Sequence, residues 1–200
     1  MCGIFGFSLV RKPRYRNRLA EALELLAEVN DLRGGHSWGW YAPLKNRMVK
    51  GIGRMTPRID GKKLARYRSL IAHTRWATTG DIKIRNAHPF SFREIVGAHN
   101  GIVYNHQQLN RIYKRDCSVD SMHLFRHLED GFDLEDIEGY GAVEYVRLSD
   151  PDPIYLGRFC GGELAIAEIP DLGLVWSSSE EDLWYALEWA CLDRDAWTYR

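Results

Sequence analysis

The chain has 200 residues, 45% hydrophobic and 12% aromatic, enough for one well-buried domain and too few for two ordinary ones. Its 27 Lys and Arg residues balance 27 Asp and Glu, so no global field recruits nucleic acid or an anionic membrane, and a small-molecule substrate is expected. No apolar run approaches the roughly 20 residues of a membrane helix. The basic stretch 11–18 follows the apolar start, whereas a secretory leader has its charges first. A soluble cytoplasmic protein is expected. Cys2, Cys117, Cys160 and Cys191 are scattered without a CxxC pair, which argues against a zinc site and against a disulfide framework.

In chain order, residues 2–10 read as a strand and 16–32 as an amphipathic helix. In that helix Leu19, Leu23, Leu26 and Val29 recur at three- and four-residue spacing, and Gly34-Gly35 stops it. Residues 38–42, 48–52, 69–77 and 94–98 are strand-like, rich in β-branched or aromatic side chains. A second helix is expected at about 120–130, ended by Gly131. Four more strands follow at 143–148, 154–159, 164–169 and 174–177, the last leading into a helix at about 180–191. Strands in blocks with helices between and after them predict α+β layering of mainly antiparallel sheets, not an alternating nucleotide-binding fold. No glycine-rich phosphate loop is present.

The chemistry concentrates in four places. Cys2 stands before Gly3-Ile4-Phe5-Gly6. With Met1 removed it carries a thiol of pKa about 8.5 and an α-amine of about 7.7–8.0, a nucleophile and a base in one residue. Taken alone, it reads equally well as a core cysteine of a first strand. In segment 73–80, Arg75 ends a strand and is followed by Trp76, Thr78 and Gly80. Such a loop offers a guanidinium, hydroxyls and backbone donors to a carboxylate; a surface ion pair beside a core tryptophan is the plainer alternative. Asn100-Gly101 closes an apolar run and has the composition of a hairpin turn. On such a turn, the Asn100 amide and the Gly101 N–H would form a two-donor oxyanion hole. Ser118 or Asp120 can cap the helix that follows, or Asp120 can hold a substrate ammonium. Arg75 and Asp120 together supply the two charges that an amino-acid zwitterion demands, directing its side chain at Cys2.

Several segments in the same order resemble the class II, or N-terminal-nucleophile, glutamine amidotransferase domain, most closely that of glucosamine-6-phosphate synthase. They are the MCGIFGF start, 32–39, 73–80, 86–90, His99-Asn100-Gly101 with Asn105, 118–120 and 177–180. The resemblance implies a single domain over 1–200 with a four-layer αββα sandwich. It also implies attack of Cys2 on the side-chain amide of L-glutamine, giving a γ-glutamyl thioester, ammonia and then glutamate, without metal or cofactor. Asn100 and Gly101 would form the oxyanion hole. Arg75 would bind the α-carboxylate and Asp120 the α-ammonium, while Trp76 and Thr78 line the same loop and Trp76 acts as part of a lid. His36, Thr79, Ser121 and Met122 depart from the family pattern. No fused synthase domain is recognised, so a separate ammonia-accepting subunit is expected, with Trp184, Leu187 and Trp189 as a candidate docking face. A catalytically silent glutamine-binding subunit and a different N-terminal-nucleophile amide hydrolase are the alternatives.

Overall fold

A computed structural model describes residues 2–132 and 134–193, and the backbone of 197–199. The elements are β1 (Gly3–Leu9), α1 (Arg16–Arg33), β2 (Ser37–Ala42), β3 (Arg47–Ile52), α2 (Gly61–Leu64), β4 (Ser69–Arg75), β5 (Phe90–Ser91) and β6 (Ile95–Val103). They continue with α3 (His106–Ile112), α4 (Met122–Asp130), β7 (Gly139–Arg147), β8 (Asp150–Phe159), β9 (Ala165–Ile169), β10 (Gly173–Ser177), α5 (Glu180–Trp189) and β11 (Trp197–Tyr199). A seven-stranded sheet runs β11-β9-β10-β1-β4-β2-β3 and a four-stranded sheet β5-β6-β7-β8, and every pairing is antiparallel.

Side-chain alternation along β1 builds two cores at once. Phe5 and Phe7 point to one face, where Leu19, Leu23 and Leu26 of α1 and Leu183 and Leu187 of α5 close over them. Ile4 points to the other face and meets Ala98 of β6 and Ala142 of β7, beside a second inter-sheet cluster of Tyr41, Ile71, Val96, Val146 and Trp176. On the outer face of the small sheet, Phe125 of α4 packs with Phe90 and Ile95. The order is therefore helix, sheet, sheet, helix, as expected. β1 is central and covered on both faces, so the residue that precedes it lies at the middle of the molecule's longest sheet.

Three local expectations are corrected. β6 does not end at residue 98: it runs through Asn100-Gly101 to Val103, with Asn100 opposite Ala142 and Gly101 opposite Gly141. A partner strand along the whole length overrides the local turn preference. Neither Ser118 nor Asp120 caps α4, whose preceding residue is Ser121 with no side-chain cap bond; Ser118 Oγ donates to Asn86 Oδ1 and Asp120 accepts from Val103 N–H. β8 begins at Asp150, earlier than expected, because it is an edge strand, where Pro151 and Pro153 need donate nothing. The docking face also divides. Leu187 is fully buried and Trp184 packs on the helix-side core, while Trp189 is 70% exposed. Among the described residues no helix is long and apolar enough to cross a membrane, and no group of three or more His, Cys, Asp or Glu could hold a metal ion.

Between the sheets Glu144 is fully buried, its Oε2 accepting from Trp176 Nε1 at 2.6 Å. Burial pushes its carboxyl well above the usual range. A folded pKa above the unfolded value of about 4.3 means that this group's contribution is full at acid pH and is lost as pH rises. Glu144→Gln keeps the acceptor for Trp176 and removes the ionisation. The variant is expected to unfold at a higher temperature than the wild type at pH 8, with the gap closing towards pH 4; equal thermal midpoints at pH 8 would contradict this.

Candidate active site

Register brings the first candidates together. Gly3 of β1 lies opposite Thr74 of β4, so Cys2 and Arg75, far apart in sequence, become neighbours at adjoining strand ends. The Cys2 thiol donates to the Trp76 carbonyl at 3.4 Å and accepts from the Trp76 N–H at 3.3 Å. Arg33 Nε donates to the Cys2 carbonyl at 3.2 Å, and its Nη2 pairs with Glu163 at 3.0 Å. Burial pushes the Cys2 thiol up, opposed by its hydrogen bond to the Trp76 backbone and by the Arg75 charge. The sulfur is therefore a thiol at neutral pH and needs a base to react.

Gly101 lies on β6, whose amides alternate in direction. Tyr104 N–H bonds Glu138 O and Leu148 N–H bonds Glu94 O across the β6–β7 ladder, so even-numbered residues of β6 face β7. Odd-numbered residues face the opposite edge: His99 O contacts His73 Nε2 at 3.1 Å and Val103 N–H donates to Asp120 Oδ2 at 2.8 Å. By the same alternation the Gly101 N–H is turned from β7 onto that edge. A side chain does not fit there, since a Cβ at 101 would sit 2.0 Å from the Tyr140 carbonyl oxygen. The neighbouring Asn100 directs Nδ2 to Ser178 Oγ at 2.9 Å.

Cys2, Trp76, Thr78, Asn100, Gly101 and Glu163 border one cavity of about 210 Å³. Arg75 and Asp120 do not line it in this conformation; they are buried, 2% and 4% exposed. Asp120 is held by Val103. The Arg75 guanidinium donates to the Asp81 carbonyl at 3.3 Å and to the Thr79 carbonyl, so it anchors the loop after β4. Both charges act on the Cys2 thiol, Arg75 lowering and Asp120 raising its pKa. His36 pins the start of the same loop. Its Nδ1 accepts from Ala77 N–H at 3.0 Å and its ring stacks on Trp76 at 4.2 Å. In the sequence, His36 stood out only as a departure from the family pattern.

The floor beneath is built from neutral histidines. His73 and His88 rings lie 3.9 Å apart, and His99 sits between Ser121 Oγ at 2.9 Å and Tyr140 O at 3.3 Å. Burial lowers the pKa of all three, that of His73 to about 3. Unfolded histidine titrates near 6.5, so their contribution to stability is full above about pH 6.5 and is lost as pH falls through the folded values. The thermal midpoint is expected to drop between pH 7 and pH 4, and His88→Phe, which removes one imidazole with no hydrogen-bond partner among the described residues, flattens that acid limb. A midpoint constant across this range would contradict the account.

Comparison with known proteins gives the same direction. No family model matches the chain. Glutamine--fructose-6-phosphate aminotransferase of Rhizobium meliloti is 37% identical over 188 residues, 83% of this chain and 30% of that protein. The enzyme of the same name from Pseudomonas syringae is 34% identical over 182 residues, 79% of this chain and 29% of that protein. The chain belongs to the class II glutamine amidotransferase domain family. It spans less than a third of the length of these curated relatives. Among solved structures, glutamine phosphoribosylpyrophosphate amidotransferase from B. subtilis superposes over the whole chain and 49% of its own, with a TM-score of 0.67 at 20% identity. A second, described as the allosteric regulatory enzyme of purine biosynthesis, covers the same shares with a TM-score of 0.69 at 20% identity. At that identity the likeness is one of fold: the amidotransferase domain has the two antiparallel sheets of these structures.

Proposed function

We propose that this amidotransferase domain hydrolyses the side-chain amide of L-glutamine, giving glutamate and ammonia. The observation that carries the reading is the meeting of Cys2, Asn100 and Gly101 on one small cavity. With Met1 removed, the α-amine of Cys2 takes the thiol proton and Sγ attacks the amide carbon. The tetrahedral oxyanion is held by Asn100 Nδ2 and the Gly101 N–H. The α-ammonium then protonates the leaving nitrogen, ammonia departs and a γ-glutamyl thioester remains on Cys2. Water, deprotonated by the same amine, attacks the thioester and releases glutamate.

Reading the amino-acid end falls to Arg75 and Asp120. Arg75 must exchange the Thr79 and Asp81 carbonyls for a substrate carboxylate, a stronger, charge-assisted partner, so glutamine binding is coupled to movement of the loop that carries Trp76 and Thr78. Residues 1–200 act as one glutaminase unit in a reducing, cytoplasmic setting, which the four free cysteines favour. Its ammonia passes to an acceptor site by a route closed to water, because ammonia released to water at neutral pH is largely protonated and no longer nucleophilic.

The test is intact mass before and after treatment with 6-diazo-5-oxo-norleucine. Loss of the Met1 mass and one adduct at Cys2 are expected. A retained Met1 without adduct would overturn the catalytic reading in favour of a glutamine-binding subunit without turnover. Turnover of small acyl amides but not of glutamine would favour a different amide hydrolase.

A further inference from the structure

An amide side chain serves as an oxyanion donor only when its nitrogen, not its oxygen, is held towards the reacting group. Ser178, the first residue after β10, is 1% exposed. Its Oγ accepts from Ile4 N–H at 2.8 Å and from Asn100 Nδ2 at 2.9 Å, and its own N–H donates to the Ile4 carbonyl at 2.9 Å. One hydroxyl thus joins the start of β1, the end of β10 and the middle of β6. A hydroxyl has two acceptor sites, and Ile4 and Asn100 use both. Its hydrogen is left for the Ile4 carbonyl, 3.4 Å away. A flipped Asn100 would instead place Oδ1 against Ser178 and would have to draw that hydrogen away from the Ile4 carbonyl. In the orientation found, one Nδ2 hydrogen is fixed on Ser178 and the other remains for the cavity that Asn100 lines.

We propose that Ser178 is a positioning residue for the oxyanion site, holding the Asn100 amide nitrogen at the Cys2 cavity through the Ser178 Oγ to Asn100 Nδ2 hydrogen bond. Its kinetic consequence rests on the glutaminase reading; its effect on the Asn100 amide does not. Ser178 also touches Ile4, two residues from the nucleophile, so the test must separate an action on Asn100 from an action on Cys2.

The experiment uses the full chain with Ser178→Ala, Ser178→Thr, Asn100→Ala and the Ser178→Ala/Asn100→Ala pair. Ser178→Ala is expected to lower glutaminase kcat about 10- to 100-fold, less than loss of the donor itself, with KM within about twofold. Alkylation of Cys2 by iodoacetamide forms no oxyanion and should keep its rate. Ser178→Thr should recover most of the turnover, and Ser178→Ala should cost nothing further once Asn100 is alanine. The Asn100 side-chain amide resonances, assigned by their loss in Asn100→Ala, should shift or broaden in Ser178→Ala. Ser178→Cys, which keeps the shape with a weak acceptor, gives the same readouts should the alanine variant unfold.

An unchanged kcat, an equal loss on both backgrounds, or alkylation falling in parallel with kcat would overturn the proposal. A wild type that turns over no glutamine would instead overturn the glutaminase reading. The amide resonances then decide the positioning role by themselves, and unmoved signals in Ser178→Ala would end it.

Discussion

A Cys2→Ala chain is expected to fold normally and to release ammonia from glutamine at least about 10⁴-fold more slowly than the wild type, because the covalent route is gone. The hydrogen bonds of the Cys2 side chain are both with the Trp76 backbone. The carbonyl that Arg33 grips belongs to the main chain and survives the substitution. The thermal midpoint should therefore stay close to that of the wild type while activity disappears. Cys2→Ser sharpens the point, since the hydroxyl fills the same place but is far less acidic than the thiol. It too should be close to inactive. Coupled detection of glutamate, with intact mass as a check on processing, measures both variants. Residual turnover within tenfold of the wild type in the alanine variant would mean that another group attacks the amide.

The second large effect is expected at the proposed oxyanion donors, Asn100 and Gly101. Asn100→Ala removes one of two, and the loss of one such donor lowers turnover about 100- to 1000-fold, or roughly 2.7–4 kcal/mol of transition-state stabilisation. KM for glutamine should change little, because the donors address charge that develops only during the reaction. Gly101→Ala should behave differently. Its methyl group would meet the Tyr140 carbonyl oxygen at 2.0 Å, so β6 must shift away from β7, and the Gly101 N–H moves with it. Activity and thermal stability are both expected to fall in that variant, whereas Asn100→Ala should lose activity with a smaller change in stability. Steady-state kinetics and thermal scans on the same two proteins separate these patterns, and full activity in Gly101→Ala would remove its amide from the mechanism.

Much of this was legible from residue order alone. Leucines at helical spacing marked α1, and it ends where Gly34 interrupts the pattern. Residue chemistry singled out Cys2, Arg75, Asn100, Gly101 and Asp120 because a nucleophile, a guanidinium, an amide beside glycine and a carboxylate are rare enough in such surroundings to be noticed. Periodicity and side-chain chemistry are local properties, and a sequence records them directly.

The tertiary structure decided what those groups touch. Asn-Gly is a turn by local preference, yet here it lies within a strand because β7 supplies a partner at every position from Gly139 to Arg147. Asp120 could have capped a helix, but the Val103 N–H on the open edge of β6 reaches it first. Arg75 is spent on carbonyls of its own loop, and Ser178, one of three consecutive serines, is the one that grips Asn100. Each of these outcomes depends on two segments brought together by strand pairing and core packing, a free-energy balance over the whole molecule that no short stretch of sequence contains. The residue types that the proposed glutamine chemistry needs can be read along the chain; which of them face one another is settled by the packing of two sheets.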